Sequence, residues 1–201
     1  MFEQVYTTKY ILASQSPRRK QILSLIVLPC TIVPSDHDED TLAEPDPINH
    51  VLQQAMAKAA CVAGDIEEGV VIGADTIVVL DGEILGKPDS EEHAVAMLQR
   101  LSGRTHHVFT GFALWRRPDD KKLSDYDVTA VHFRHLYDWE IERYVQSGSP
   151  MDKAGAYGIQ DQSAVFADRI EGCFYNVVGF PLTRFYQTLL HFLQENHNAC
   201  E

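Results

Sequence analysis

With 201 residues, 45% of them hydrophobic, the chain has enough apolar material for one sizeable core or for two lobes sharing one. No apolar stretch approaches the ~20 residues that span a bilayer. A formal net charge of −12 argues against bulk binding to nucleic acid or to an anionic membrane surface. A small anionic substrate stays compatible with this acidity, because a local basic pocket or a divalent cation reverses the field locally. The opening MFEQVYTTKYILASQSPRR lacks the basic-then-apolar order of a secretory signal, and Cys30, Cys61, Cys173 and Cys200 form no CxxC or zinc spacing. A reduced, cytoplasmic setting is expected.

Strand-like and helix-like patterns alternate without repeats or long linkers, which predicts an α/β fold in a single domain over residues 1–201. Tyr10 to Ala13 reads as a short strand entering a tight turn, and Ser16-Pro17 as the N-cap and first position of a helix that buries Ile22 and Leu23. Thr31 to Asp46 is polar and reads as a loop. Asp46-Pro47 opens a second helix with an apolar stripe through Ile48, Val51, Leu52, Ala55, Met56, Ala59 and Val62, and Lys58 falls at the edge of that stripe. Val70 to Leu80 reads as a buried strand, and Asp81-Gly82 as a hairpin turn into Glu83-Ile84-Leu85. Asp89 with Glu92 suggests a capping box for a helix that ends near Gly103. His107–Trp115 and Tyr126–Phe133 read as strands, Asp138–Ser147 as a helix stopped by Gly148, and Pro181–Gln194 as a closing helix whose core residues are Leu182, Phe185, Leu189 and Phe192.

Five constellations can carry chemistry. In Ser14-Gln15-Ser16-Pro17-Arg18-Arg19, a turn and a helix N-terminus offer free N–H groups to an anion. Two arginines in the first helical turn oppose the helix dipole, and a polyphosphate would offset that; an ordinary cap with solvated arginines is the plain alternative. Asp75, in Gly73-Ala74-Asp75-Thr76, interrupts an apolar run and needs partners if buried. It suits metal binding or proton acceptance, and equally pairing with a lysine. The acidic run Asp36-His37-Asp38-Glu39-Asp40 offers hard oxygen ligands for Mg²⁺ or Mn²⁺, or is a solvated loop with His37 incidental. Lys58 and Lys87 are candidates for neutralising phosphate. The stretch Met151 to Gln160 is rich in small residues, and Gln160 offers both donor and acceptor for reading a base edge. No HExxH, GxSxG, Walker loop or GxGxxG occurs; the adjacent His106 and His107 would point oppositely in a strand and read as structural.

Taken together and in order, these pieces resemble the Maf family of septum formation proteins. The resemblance rests on Leu12-Ala13-Ser14-Gln15-Ser16-Pro17-Arg18-Arg19, Ser35 to Asp40, Lys58-Ala59, Ile72-Gly73-Ala74-Asp75-Thr76, Lys87-Pro88, and Leu101-Ser102-Gly103-Arg104 with Thr110-Gly111. It continues through Asp152-Lys153-Ala154-Gly155 to Gln160 and closes at Asn176-Val177-Val178-Gly179, covering roughly residues 8 to 192. The resemblance implies an elongated mixed sheet with flanking helices and two lobes around a cleft, as in Maf and ITPase-like proteins. It implies nucleoside-triphosphate pyrophosphatase activity with Mg²⁺ or Mn²⁺. Asp75 would be the proton acceptor and, with Glu39, a metal ligand; Arg18, Thr76 and Gln160 would set substrate choice; Ser14, Arg19, Lys58 and Lys87 would line the polar site. The Ser-Pro-Arg-Arg and Gly-Ala-Asp-Thr versions resemble the branch acting on dTTP and UTP, with CTP or modified pyrimidine nucleotides as further candidates. A homodimer is implied as well.

Two positions depart from the family's common pattern. Ser149 stands where Glu is common, and Asp161 follows Gln160 where Gly is common. An inward-pointing Asp161 would repel a phosphate. The rival readings are a purine or modified-nucleotide pyrophosphatase and a nucleotide-binding regulator of division with little turnover.

Overall fold

The computed structural model describes residues 2–37 and 44–194. Among the described residues, the α-helices α1 (Phe2–Thr7), α2 (Pro17–Ser24), α3 (Pro47–Ala63), α4 (Glu91–Leu101), α5 (Asp138–Gln146), α6 (Phe174–Val178) and α7 (Leu182–Gln194) accompany a mixed sheet. The strands are β1 (Tyr10–Leu12), β2 (Cys30–Ile32), β3 (Gly69–Leu80), β4 (Glu83–Leu85), β5 (Thr105–Arg117), β6 (Lys122–Phe133) and β7 (Ala167–Glu171). Their order is β2-β1-β3-β5-β6-β7, with β4 on β3. β1 runs parallel to both β2 and β3, whereas β4 on β3 and β7 on β6 are antiparallel.

The chain divides into two compact units. The first draws its described residues from Met1–Asp75, Thr110–Asp127 and Gly179–Glu201, the second from Thr76–Phe109 and Val128–Val178. Strands β3, β5 and β6 each contribute residues to both.

In the first unit, β3 reads as a nearly unbroken apolar run because it is buried along almost its whole length. Helix α3 begins where Pro47 follows the cap residue Asp46, whose carboxylate accepts the Asn49 N–H at 2.8 Å. Its buried face is small: Ala55, Ala59 and Ala63 pack with Ile11, Ala13, Val71 and Ala113. Two glycines bring its backbone onto the sheet. A Cβ on Gly73 of β3 would lie 2.0 Å from the Ala55 carbonyl oxygen, and one on Gly111 of β5 would lie 2.5 Å from that of Val51. Helix α7 presents Phe185, Leu189 and Phe192 to the core, and the Phe185 ring lies 5.5 Å from Phe112 and 4.8 Å from Phe180.

In the second unit, Leu80, Leu85, Leu98, Leu101, Phe133 and Ile141 form the core with Tyr144 and Phe166. Asp81 and Gly82 both take positive φ (54° and 81°), as a two-residue hairpin on a right-twisted ribbon requires. Within β5, His106 is fully buried and His107 exposed, so the two point oppositely. The His106 ring sits edge-on to Phe133 and Tyr157, and its Nε2 meets the Tyr157 hydroxyl at 2.8 Å. Burial above all, with minor contributions from His107 and His132, pushes the His106 imidazole down to about 3.

Some sequence expectations are corrected. The polar segment after residue 30 begins with a strand, β2, recruited by its parallel neighbour β1. The cap of α4 is Ser90, whose Oγ accepts the His93 N–H at 3.1 Å; the Asp89 carboxylate meets His93 Nδ1 instead. Lys58 lies in the middle of the buried α3 face, not at its edge, between Gln54 and Val62. Helices α1 and α6 and strand β7 are short and carry no strong periodicity that the sequence would announce.

Gly73→Ala should lower the unfolding free energy by about 3 kcal/mol or more. Gly64→Ala, with nothing within 4 Å of the added carbon, should stay within about 0.5 kcal/mol of the parent; chemical denaturation of both checks the contrast. The lowered His106 value means the unfolded chain takes up a proton that the folded chain refuses. That stability is complete above the ordinary histidine range near 6.5 and is lost as pH falls toward about 3. The paired variant His106→Leu/Tyr157→Phe should therefore lose up to about 1.4 kcal/mol less per pH unit across that window than the parent.

Candidate functional site

The parallel strands of the first unit deliver their C-terminal ends to the segments that carry polar side chains, the usual place for ligand sites in such sheets. β1 leads into Ala13-Ser14, with the Ala13 N–H bonded to the Ile72 carbonyl at 2.8 Å. In β3, Gly73-Ala74-Asp75 follow directly on Val70–Ile72, the residues paired with β1. Side chains alternate along a strand, so Asp75 shares the face of Gly73, the face on which α3 lies. Lys58 sits one turn beyond Gln54 on that helix, and its Nζ donates to Asp75 Oδ1 at 2.6 Å. Both side chains are only 9% exposed.

Such a pair is expensive to assemble. Desolvating two charges offsets most of their attraction, and apolar residues of similar size would hold the fold at least as well. Its presence within β3, just past the stretch paired with β1, therefore marks a candidate for chemistry more than a source of stability.

The turn before α2 is held by two groups. Ser14, buried, accepts the Ser16 N–H at 3.2 Å and a hydrogen bond from Arg19 Nη1 at 3.1 Å. Ser16 occupies the N-cap position without a side-chain cap bond; Ser14 Oγ instead fixes the turn through the Ser16 N–H. Arg19 Nε donates to the Gly179 carbonyl at 3.0 Å, so one guanidinium ties this turn to the segment that starts α7. Arg18 is half-buried on the same helical turn.

The first unit also holds a contact that sequence reasoning set aside. His37 Nε2 meets Gln54 Oε1 at 2.8 Å, and Gln54 is 1% exposed. The signal was a polar residue four positions before Lys58 on the buried stripe. The candidate metal ligand Glu39 lies outside the described residues. Among the described residues, no group of three or more His, Cys, Asp and Glu side chains gathers around a common point.

In the second unit, Thr76 is half-buried and, as the next residue of β3, points away from the Asp75 face. Lys87 is exposed; the carbonyl of the preceding Gly86 accepts the Gly155 N–H at 3.0 Å. Gly155 takes φ 68°, and a Cβ there would meet Val78 at 2.9 Å, so both the conformation and the packing demand glycine. Gln160 is exposed at the crest of a turn closed by the Asp161 N–H on the Gly158 carbonyl at 3.1 Å.

The two departures, Ser149 and Asp161, meet each other. Ser149 Oγ donates to Asp161 Oδ2 at 2.8 Å. Asp161 also accepts from Tyr144 Oη at 3.0 Å and from the Ser163 N–H and Oγ at 2.9 and 2.8 Å, with Lys153 Nζ at 3.6 Å. Burial alone would raise this carboxyl; the hydrogen bonds from Ser163, Ser149 and Tyr144 outweigh it and hold the group below the ordinary aspartate value.

Lys58→Met should cost about 3–5 kcal/mol of stability, since it leaves the Asp75 carboxylate buried without its lysine. The double variant Lys58→Met/Asp75→Leu should recover most of the loss; denaturant unfolding of the two side by side checks this.

A family model described as Maf-like protein matches residues 9–192. The dTTP/UTP pyrophosphatase of Moorella thermoacetica is 47% identical over 185 residues, covering 92% of this chain and 95% of that protein. The dTTP/UTP pyrophosphatase of Carboxydothermus hydrogenoformans is 46% identical, covering 90% of this chain and 97% of its own. Among solved structures, the Ham1 protein of Staphylococcus aureus aligns with a TM-score of 0.51 at 16% identity, covering 92% of this chain and all of that one; this likeness concerns the fold.

Proposed function

The chain belongs to the Maf family, and we propose that it is a nucleoside-triphosphate pyrophosphatase that cleaves dTTP and UTP to the nucleoside monophosphate and pyrophosphate. The observation that carries the reading is the buried Lys58–Asp75 pair on the strand that follows the Ser14 turn in the sheet. Relatives at 46–47% identity over nine-tenths of the chain bear that activity in their names.

Asp75 is the proton acceptor. The oxygen of a water bonds to the α-phosphorus while the bond from that phosphorus to the bridging oxygen breaks. Pyrophosphate leaves with the electron pair, and the water's proton passes to the Asp75 carboxylate. Lys58 holds that carboxylate in place before substrate arrives and offers its ammonium to the phosphate oxygens afterwards. Arg18, Arg19 and the α2 N-terminus bind phosphate, with Ser14 holding Arg19 in position.

A divalent cation fits the donor set, since Asp75 is a hard anionic oxygen ligand with Oδ1 already oriented by Lys58. Asp75 and Glu39 would hold it, and when bound, Mg²⁺ or Mn²⁺ supplies charge neutralisation to the phosphates and acidity to a coordinated water. Thr76, Lys87 and Gln160 of the second unit take the roles that the family resemblance gives them, Gln160 and Thr76 at the base and Lys87 at phosphate. A cytoplasmic homodimer belongs to the same reading. Among the described residues no helix is long and apolar enough to cross a membrane.

Pyrophosphate release should concentrate on dTTP and UTP in a panel that includes CTP, GTP, ATP, ITP and 7-methyl-GTP with Mg²⁺ or Mn²⁺. Asp75→Asn should lower kcat by about 10²–10⁴-fold. Turnover mainly on purines would overturn the base assignment. Nucleotide binding without release from any of them would replace the enzyme with a nucleotide-binding regulator.

A further inference from the structure

Gln160 is an exposed side chain on a short turn, and such a group reads a ligand only if its backbone is fixed. The structure shows what fixes it. On the near side, Ser163 Oγ serves both ends of Gly158: it accepts the Gly158 N–H at 3.0 Å and donates to the Gly158 carbonyl at 2.9 Å. Ser163 is fully buried. On the far side stands the Asp161 carboxylate. Its Oδ1 takes the Ser163 N–H, with Ser163 Oγ, whose single proton is shared with the Gly158 carbonyl, at 2.8 Å; its Oδ2 takes the hydroxyls of Tyr144, from the end of α5, and of Ser149. Lys153 brings a compensating positive charge; its Nζ donates to the Ser149 carbonyl at 2.5 Å and to Asp152 Oδ1 at 2.6 Å.

Hydrogen bonds from a backbone N–H and two hydroxyls, with a third hydroxyl within reach, are more than a surface aspartate collects. Gly158 leaves the room: a Cβ there would strike Asp161 Oδ2 at 2.8 Å and Lys153 Cε at 2.7 Å. Asp161 is therefore turned toward its own unit's hydroxyls and lysine, with both oxygens occupied.

We propose that Asp161 is a positioning residue for Gln160, pinning the Gly158–Asp161 turn to α5 and Ser149 so that base discrimination depends on this carboxylate. The inference rests on the proposed role of Gln160 at the base. Asp161 touches no substrate in this scheme; it acts through the turn. The shape of the cluster matters more than its charge. An asparagine can keep its oxygen toward the Ser163 N–H and donate its amide to the hydroxyls of Tyr144 and Ser149, which rotate to accept. An alanine leaves the Ser163 N–H and the hydroxyls of Tyr144 and Ser149 without this acceptor, while the Ser163 hydroxyl keeps the Gly158 carbonyl.

The test is the ratio of kcat/KM for dTTP over GTP in the full-length protein, for Asp161→Ala, Asp161→Asn, Gln160→Ala and the double variant Gln160→Ala/Asp161→Ala. Asp161→Ala should reduce the ratio about tenfold, the change falling in KM for dTTP, and Asp161→Asn should restore most of it. In the Gln160→Ala background, Asp161→Ala should move the ratio less than twofold. Equal ratios in parent and Asp161→Ala, or full additivity with Gln160→Ala, overturn the proposal alone. Should Asp161→Ala fail to fold, Tyr144→Phe and Ser149→Ala each remove one bond to the same carboxylate; together they should lower the ratio severalfold, and an unchanged ratio overturns the proposal. A parent protein that releases pyrophosphate from no nucleotide overturns the enzyme reading, and this one with it.

Discussion

The close seating of α3 on the sheet is the constraint from which the first unit follows. Helix and sheet normally stand about 10 Å apart, held off by their side chains; here Gly73 and Gly111 remove the side chains on the strand side, and Ala55 and Ala59 keep them small on the helix side. Only at this spacing does a lysine in the middle of the helix face reach an aspartate two residues past the glycine. The ion pair is thus a product of backbone approach. The glycines that look like packing residues and the charges that look like functional ones are one device.

The two units solve the problem of holding polar groups in different ways. In the first, cations do the holding: Lys58 pairs with the Asp75 carboxylate, and Arg19 spans the Ser14 hydroxyl and the Gly179 carbonyl. In the second, one carboxylate is surrounded by hydroxyls, with a lysine at longer range. The first arrangement holds two buried or half-buried cations in fixed positions. The second satisfies the carboxylate completely and freezes a loop.

Much of this was legible in the sequence, and the reasons are physical. Long strands announce themselves through apolar runs such as Val70–Leu80, and α3, α5 and α7 through periodicity and cap residues. Asp75 stood out because a charge inside such a run needs a partner. The partner itself was ambiguous, since the face of a helix is set by packing and the stripe drawn from hydrophobicity excluded Gln54 and Lys58, which are buried by glycine-mediated approach instead. β2 and β7 were invisible because a three- or five-residue edge strand is defined by its neighbour, not by its own composition. The meeting of Ser149 with Asp161 was beyond reach, because a separation of twelve residues across several turns has no period to betray it.

The Arg19 clasp has a consequence for how the molecule comes into being. Its donor and acceptor are 160 residues apart, and the first unit takes its core from three separate stretches of chain, the last beginning at Gly179. The Arg19 clasp on the Ser14 turn can form only after nearly the whole polypeptide has been made. Contacts of such separation slow folding and postpone the completion of this unit until late in synthesis. A ribosome-bound chain that has not reached Gly179 holds every residue of the Ser14 turn and still lacks the carbonyl that Arg19 Nε clasps.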